Sequence, residues 1–181
     1  MRVITGTARG RKLGQLTGND TRPTADMVKE SMFNIIQFDI EGRRVLDLFG
    51  GTGQLGIEAL SRGAAHCTFV DVRRDAAALI RENLEWTGLH EKARVVQSDY
   101  LAFLTRGGEK FDLVFLDPPY DSGLLEKALE TIVTIDILSG NGIILCESAA
   151  DAILPPIDPP YEKYREYRYG KTKITLYCRT V

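Results

Sequence analysis

Arg43-Arg44-Val45-Leu46-Asp47-Leu48-Phe49-Gly50-Gly51-Thr52-Gly53-Gln54-Leu55-Gly56 decides how this chain folds. A short apolar run ends at Phe49, and a glycine-rich turn follows at once. Such a run, closed by glycines, reads as a buried strand. The residues after the turn, to about Arg62, read as a helix. Gly51, Gly53 and Gly56 stand in G-x-G-x-x-G spacing between strand and helix, and Asp71 follows Gly51 at about 20 residues. This is the fingerprint of a β-α-β unit whose backbone approaches a nucleotide-like ligand closely.

Outward from this unit, strands and helices alternate. His66–Asp71 is a second strand, and Arg73–Trp86 a helix with Ala77, Ile80 and Leu84 at helical spacing. Ala93–Ser98 is a third strand ending at Asp99, before a short helix at Leu101–Thr105. Phe111–Leu116 is a fourth strand, Leu124 to about Ile137 a helix, and Gly142–Glu147 a fifth strand. The alternation predicts a parallel sheet with right-handed crossovers. Four prolines between Leu154 and Pro160 break it. Tyr161–Arg168 and Thr172–Arg179 then read as a hairpin around Tyr169-Gly170-Lys171. The fold class is therefore α/β, mostly parallel, with an antiparallel C-terminal strand.

Upstream, residues 2–16 alternate loosely around a turn near Ala8-Arg9-Gly10-Arg11, which predicts a β-hairpin outside the main core. Thr21-Arg22-Pro23-Thr24 introduces a helix from about Ala25 to Gln37. Thr24 suits its N-cap and Asp26 its first turn. Its apolar stripe is Val28, Met32, Ile35 and Ile36. Residues 1–40 thus form a small N-terminal extension, and residues 41–181 the main domain.

The 181 residues, 44% hydrophobic and 27% charged, support a buried core. No apolar run approaches the roughly 20 residues of a membrane span. Met1-Arg2-Val3-Ile4-Thr5-Gly6 has no signal-peptide core. The expectation is a cytoplasmic monomer without membrane contact. Cys67, Cys146 and Cys178 form no CxxC pair, and His66 and His90 lack ligand spacing, so no metal site is expected. Net charge is −2, but Arg2, Arg9, Arg11 and Lys12 share residues 1–12 with no acid. Residues 161–181 are basic as well. Solvated edges explain such ends by themselves; beside a base-binding site they read as a phosphate-contacting surface.

Asp117-Pro118-Pro119-Tyr120 follows the fourth strand, at the sheet edge where α/β folds bind ligands. Two prolines stiffen the backbone and remove two donors, leaving Asp117 and the Pro118 carbonyl as acceptors beside an aromatic ring. The pattern suits a planar group bearing an N–H₂. The competing reading is a proline turn that ends a strand.

The glycine fingerprint does not separate NAD from S-adenosyl-L-methionine, since both present an adenosine ribose to Asp71. Three features favour the sulfonium cofactor. Asp47 beside the turn repels a pyrophosphate but suits an α-ammonium. Asp99 ends strand three, placed for adenine N6. The chain carries no second domain for a hydride acceptor. On this reading Gly50, Gly51 and Gly53 admit the methionine portion, with Phe49, Thr52, Val72 and Tyr100 beside the cofactor. Alternatively, Asp47 caps the turn's own amides and Asp99 caps the 101–105 helix.

With these residues in place, the chain resembles the Rossmann-like class I S-adenosylmethionine methyltransferases, whose seven-stranded sheet ends in such a hairpin. Asp117-Pro118-Pro119-Tyr120 matches the (D/N/S)PP(Y/F/W) motif of enzymes that methylate exocyclic or amide nitrogen. More narrowly, the chain resembles the bacterial small-subunit ribosomal RNA guanine-N2 methyltransferases of RsmD type. The matching pieces are Arg2–Gly6, Arg9–Leu13, Thr21–Thr24 with Asp26 and Val28–Glu30, Val45–Gly53, Glu58–Ala64, Phe115–Tyr120 and Tyr169–Thr172. The family commonly has Ala-Gly-Ser at Gly50-Gly51-Thr52, often Glu at Asp71 and Arg at Met27. The resemblance implies methylation of a guanine N2 in 16S rRNA, within the small subunit or an assembly intermediate. It makes Asp117, Pro118, Pro119 and Tyr120 catalytic, and Arg2, Arg9, Arg11, Lys12 and Arg22 contacts to RNA. Adenine or a protein glutamine amide is the rival substrate, and an RNA-binding assembly factor without catalysis the rival class.

Overall fold

The computed structural model describes residues 1–16 and 26–180. Arg22 and the expected N-cap Thr24 lie outside the described residues. Among the described residues, five helices, α1 (Asp26–Ile35), α2 (Gln54–Ser61), α3 (Arg74–Thr87), α4 (Tyr100–Thr105) and α5 (Leu124–Ile135), accompany seven strands. These are β1 (Arg44–Asp47), β2 (His66–Asp71), β3 (Ala93–Gln97), β4 (Phe111–Leu116), β5 (Leu138–Ala149), β6 (Tyr161–Tyr169) and β7 (Thr172–Arg179). A short 3-10 turn at His90–Lys92, which hydrophobic periodicity does not signal, precedes β3.

One sheet runs in the order β3-β2-β1-β4-β5-β7-β6. β3 to β5 are parallel, and β7 runs antiparallel to both its neighbours. The C-terminal strand is thus inserted between β5 and β6, and β6 forms the edge. Because strand side chains alternate in direction, the core splits into two layers. Val45, Phe69, Leu113, Phe115 and Leu145 meet α1, α2 and α3, while Leu46, Val70, Val114, Leu116 and Ile144 meet α4 and α5. Gly56 lets α2 approach closely, since a Cβ there would fall 2.2 Å from the Phe69 ring.

The N-terminal hairpin departs from expectation. A single antiparallel bridge, Arg2 to Lys12, closes it, and Val3, Ala8 and Leu13 are buried in the α1–α2 layer of the core. Glu58 on α2 is one anchor, beside Ser61, which accepts the Ala8 amide at 3.0 Å. The Glu58 carboxylate accepts the amides of Ile4 and Thr5 at 2.8 and 2.9 Å and binds Arg62 Nε at 2.9 Å. Lys29 from α1 lies 3.7 Å from Glu58 and donates to the Arg2 carbonyl at 2.6 Å. Buried charges persist when paired and hydrogen-bonded, as these are. Sequence pieces from three separate regions therefore meet at one buried carboxylate.

The C-terminal basic stretch also differs from its sequence reading. Arg179 binds Asp136 through two bonds of 2.8 and 3.1 Å. Lys163 and Lys173 both approach Glu166, at 3.3 and 3.7 Å. Much of that charge is spent within the fold.

Candidate active site

The strand order has one reversal, between β1 and β4. β1 is followed in sequence by β2 on one side, while β4 lies on the other. Ligands bind in the crevice that opens at the carboxyl ends of such a pair. Asp47 pairs with Phe115 across it, so the glycine turn after β1 and the prolines after β4 emerge side by side. A cavity of about 430 Å³ opens there.

All four residues of Asp117-Pro118-Pro119-Tyr120 line this cavity. So do Asp47, Phe49, Gly50, Gly51, Thr52, Asp71, Val72, Asp99 and Tyr100. Gly53 does not; it caps α2 beneath the turn with φ of 81°. The structure thus joins into one wall the turn after β1 and the turn after β4, although β2 and β3 lie between them in sequence.

The carboxylates have distinct settings. Asp47 is buried, and its Oδ2 accepts the Gly56 amide at 3.1 Å. Burial pushes its carboxyl up to about 7, with the Asp71 charge adding and the Gly56 amide opposing. An ammonium group brought to it would favour the charged form. Asp71 accepts the Gly51 amide at 2.8 Å on Oδ2 and the Arg73 amide at 2.9 Å on Oδ1. It is held rigidly at the end of β2, facing the cavity where hydroxyl donors would meet it. Asp99 caps α4 by accepting the Leu101 and Ala102 amides on Oδ1, at 2.9 and 3.1 Å. The capping role is therefore real, and the residue lines the cavity as well. The Tyr100 ring packs 5.7 Å from that of Phe49, giving the cavity an aromatic corner.

Beyond β4, the two prolines lead into a turn in which Ser122 donates to the Pro119 carbonyl at 2.7 Å. Tyr120 turns its hydroxyl away from solvent and donates to Glu147 Oε1 at 2.8 Å. Tyr120 lines the cavity together with Asp117 and Pro118.

Several lining residues escaped the sequence reading: Met1, Gln15 and Leu16 from the N-terminal segment, and Arg73 and Glu147 from the sheet edge. Thr52 Oγ1 donates to Met1 Sδ at 3.3 Å, so the chain start reaches the glycine turn. A signal for Glu147 was present. Like Asp47, Asp71, Asp99 and Asp117, it is an acid at the carboxyl end of an apolar strand. Asp47, Asp71, Asp99 and Asp117 line the cavity with Arg73, an acidic lining that suits an ammonium group.

Arg2, Arg9, Arg11 and Lys12 are exposed and do not line the cavity. Arg11 stacks 5.7 Å from the Trp86 ring centroid and donates to the Trp86 carbonyl. Met27 is exposed on the first turn of α1.

Residues 1–178 match the family described as Conserved hypothetical protein 95. The chain is 40% identical to YlbH of Bacillus subtilis over 180 residues, covering 98% of each. It is 36% identical over 179 residues to ribosomal RNA small subunit methyltransferase D of Escherichia coli K12, covering 99% of this chain and 90% of that one. The solved structure of yhhF from Escherichia coli superposes with a TM-score of 0.89 at 35% identity, over 99% of this chain and 98% of the other.

Proposed function

The chain belongs to the Conserved hypothetical protein 95 family, of RsmD-type methyltransferases, and on that premise we propose that it methylates the exocyclic N2 of a guanine in 16S ribosomal RNA. Its seven-stranded sheet, with an antiparallel last strand, is the class I methyltransferase fold. The observation that carries the reading is the single cavity lined both by the Asp47–Asp71 cradle and by Asp117-Pro118-Pro119-Tyr120. A methyl donor and a planar amine bound there would lie against each other.

S-adenosylmethionine, when bound, would supply an electrophilic methyl group, its S–CH3 bond breaking to leave S-adenosylhomocysteine. The residues present fit it. Asp47, buried beside the turn, would hold the ammonium; Asp71 would accept from the ribose; the N-terminus of α2 would face the carboxylate. The acidic lining is the wrong partner for a pyrophosphate, which counts against NAD. Asp117 and the Pro118 carbonyl would accept the two N–H bonds of the guanine amino group. That draws the nitrogen lone pair out of conjugation with the ring and aims it at the methyl. Tyr120 would stack on the base. Positioning two reactants in this way supplies much of an enzyme's acceleration. Asp117 then takes the released proton, directly or through water. The base must leave its helix to reach the cavity. The exposed cations of residues 1–12, within the extension at residues 1–40, would grip flanking phosphates.

The test is incubation with labelled S-adenosylmethionine and small-subunit RNA, free and assembled, followed by nucleoside analysis. N2-methylguanosine is the expected product. N6-methyladenosine, or no incorporation into either RNA, would overturn the assignment.

A further inference from the structure

Glu147 sits at the carboxyl end of β5, 6% exposed, and its Oε1 accepts the Tyr120 hydroxyl at 2.8 Å. Thr172, the first residue of β7, places its Oγ1 3.1 Å from the same hydroxyl. A phenol has one proton. Since Tyr120 gives it to the carboxylate, Thr172 is the donor in the second bond. The Tyr120 oxygen is thus held from two sides by two strands.

Strand direction explains how both partners arrive. β7 runs antiparallel to β5, so its first residue lies where β5 ends, and Ala149 pairs with Thr172. A parallel seventh strand would bring its last residue to this edge. At the other end of the side chain, Pro118 and Pro119 fix the backbone, and Asp121 reverses it with φ of 59°. The ring is clamped at its root by the turn and at its tip by the β5–β7 pair.

We propose that Glu147 and Thr172 are positioning residues that hold the Tyr120 ring as a fixed stacking wall for the target base. The inference rests on the reading of Tyr120 as the base-stacking residue. Burial pushes the Tyr120 hydroxyl up to about 12, with the Glu147 charge adding, which keeps it protonated as the donor to Glu147. The antiparallel hairpin at the end of the chain thereby acts on the target side of the cavity. Preorganised rings lose little freedom when a base arrives, which favours turnover over binding alone.

The experiment compares wild type with Glu147→Ala, Glu147→Gln, Thr172→Val, Tyr120→Phe and the Glu147→Ala/Tyr120→Phe double variant. Turnover on small-subunit RNA is measured at saturating cofactor, with cofactor affinity by calorimetry. Loss of the Glu147 bond is expected to lower kcat about tenfold in Glu147→Ala, and Tyr120→Phe, which loses both bonds, should be at least as slow, with cofactor affinity unchanged in each. Glu147→Gln, which keeps an acceptor, should stay within about threefold of wild type. The double variant should be no slower than Tyr120→Phe, because that variant has already lost the Glu147 bond. Multiplying effects in the double variant, or a parallel loss of cofactor affinity, would overturn the proposal.

Carbon-13 labelling of tyrosine gives a readout independent of substrate. The Tyr120 ring signal should hold its position in Glu147→Gln, and shift and broaden in Glu147→Ala and Thr172→Val. An unmoved signal overturns the clamp even if wild type methylates RNA. A moved signal with no methylation by wild type would uphold the clamp and sink the substrate assignment instead.

Discussion

Oδ2 of Asp71 accepts the Gly51 amide at 2.8 Å, fastening the turn that follows β1 to the end of β2. Asp71 therefore shapes the cradle as well as lining it. Asp71→Ala releases both the Gly51 and Arg73 amides and removes an acceptor from the ribose position. Hydrogen bonds to a charged group contribute about 1.5–3 kcal/mol each, so affinity for S-adenosylmethionine should fall by about 10- to 100-fold. Calorimetry reads this directly, and unchanged affinity would show that the turn holds its shape alone.

Burial raises the Asp47 carboxyl to about 7, from 3.8. The folded chain then holds this proton more tightly than the unfolded one. The stability it contributes is complete below pH of about 4 and is lost as pH rises through about 7. Cofactor binding runs the other way, because an ammonium needs the carboxylate. Affinity should strengthen by up to about tenfold per pH unit below 7 and level off above it, with a proton released on binding. Titrations in two buffers of different ionisation enthalpy measure that proton. Asp47→Asn should abolish the release; an unaltered release would assign the proton to another group.

Glu58 holds the N-terminal segment, Lys29 and Arg62 together in the core. Burial draws the Lys29 ammonium below its usual value, and Glu58 opposes that shift. Glu58→Ala strands a buried cation and frees two amides, so unfolding in urea should show a loss of about 3–5 kcal/mol. Residues 1–13 should become the first site of proteolysis. A loss under about 1 kcal/mol would mean that apolar packing of Val3, Ala8 and Leu13 suffices.

Trp86 is the single tryptophan and stands exposed beside Arg11. Its fluorescence should change when RNA binds the N-terminal segment. Arg9→Ala and Lys12→Ala should weaken binding to any RNA sequence and lower the salt slope by roughly 0.7–0.9 each. Slopes equal to wild type would remove these residues from the interface.

The sequence by itself determined the strands that form the sheet and the acids at their ends. The run Phe111–Leu116 has one solution because a buried apolar segment bounded by Lys110 and Pro118 is a local matter. The same holds for the turn at Gly51–Gly53, where backbone freedom is set residue by residue. Hence Asp47, Asp71 and Asp117 could be placed at the ends of strands before any contact was known.

Contacts between distant segments were not legible. The alternation of strands and helices is silent on whether β4 lies beside β1, yet that adjacency joins the glycine turn to the proline turn. Residues 2–16 read as a detached hairpin because weak alternation carries no trace of the carboxylate, 54 residues from Ile4, that draws them inward. Glu147 and Thr172 lie 27 and 52 residues from Tyr120, and only the antiparallel insertion of β7 brings them to its hydroxyl. Local backbone preference and burial act along the chain and can be read there. Pairing between strands is chosen by packing of the whole sheet, and it alone decided which of these groups touch.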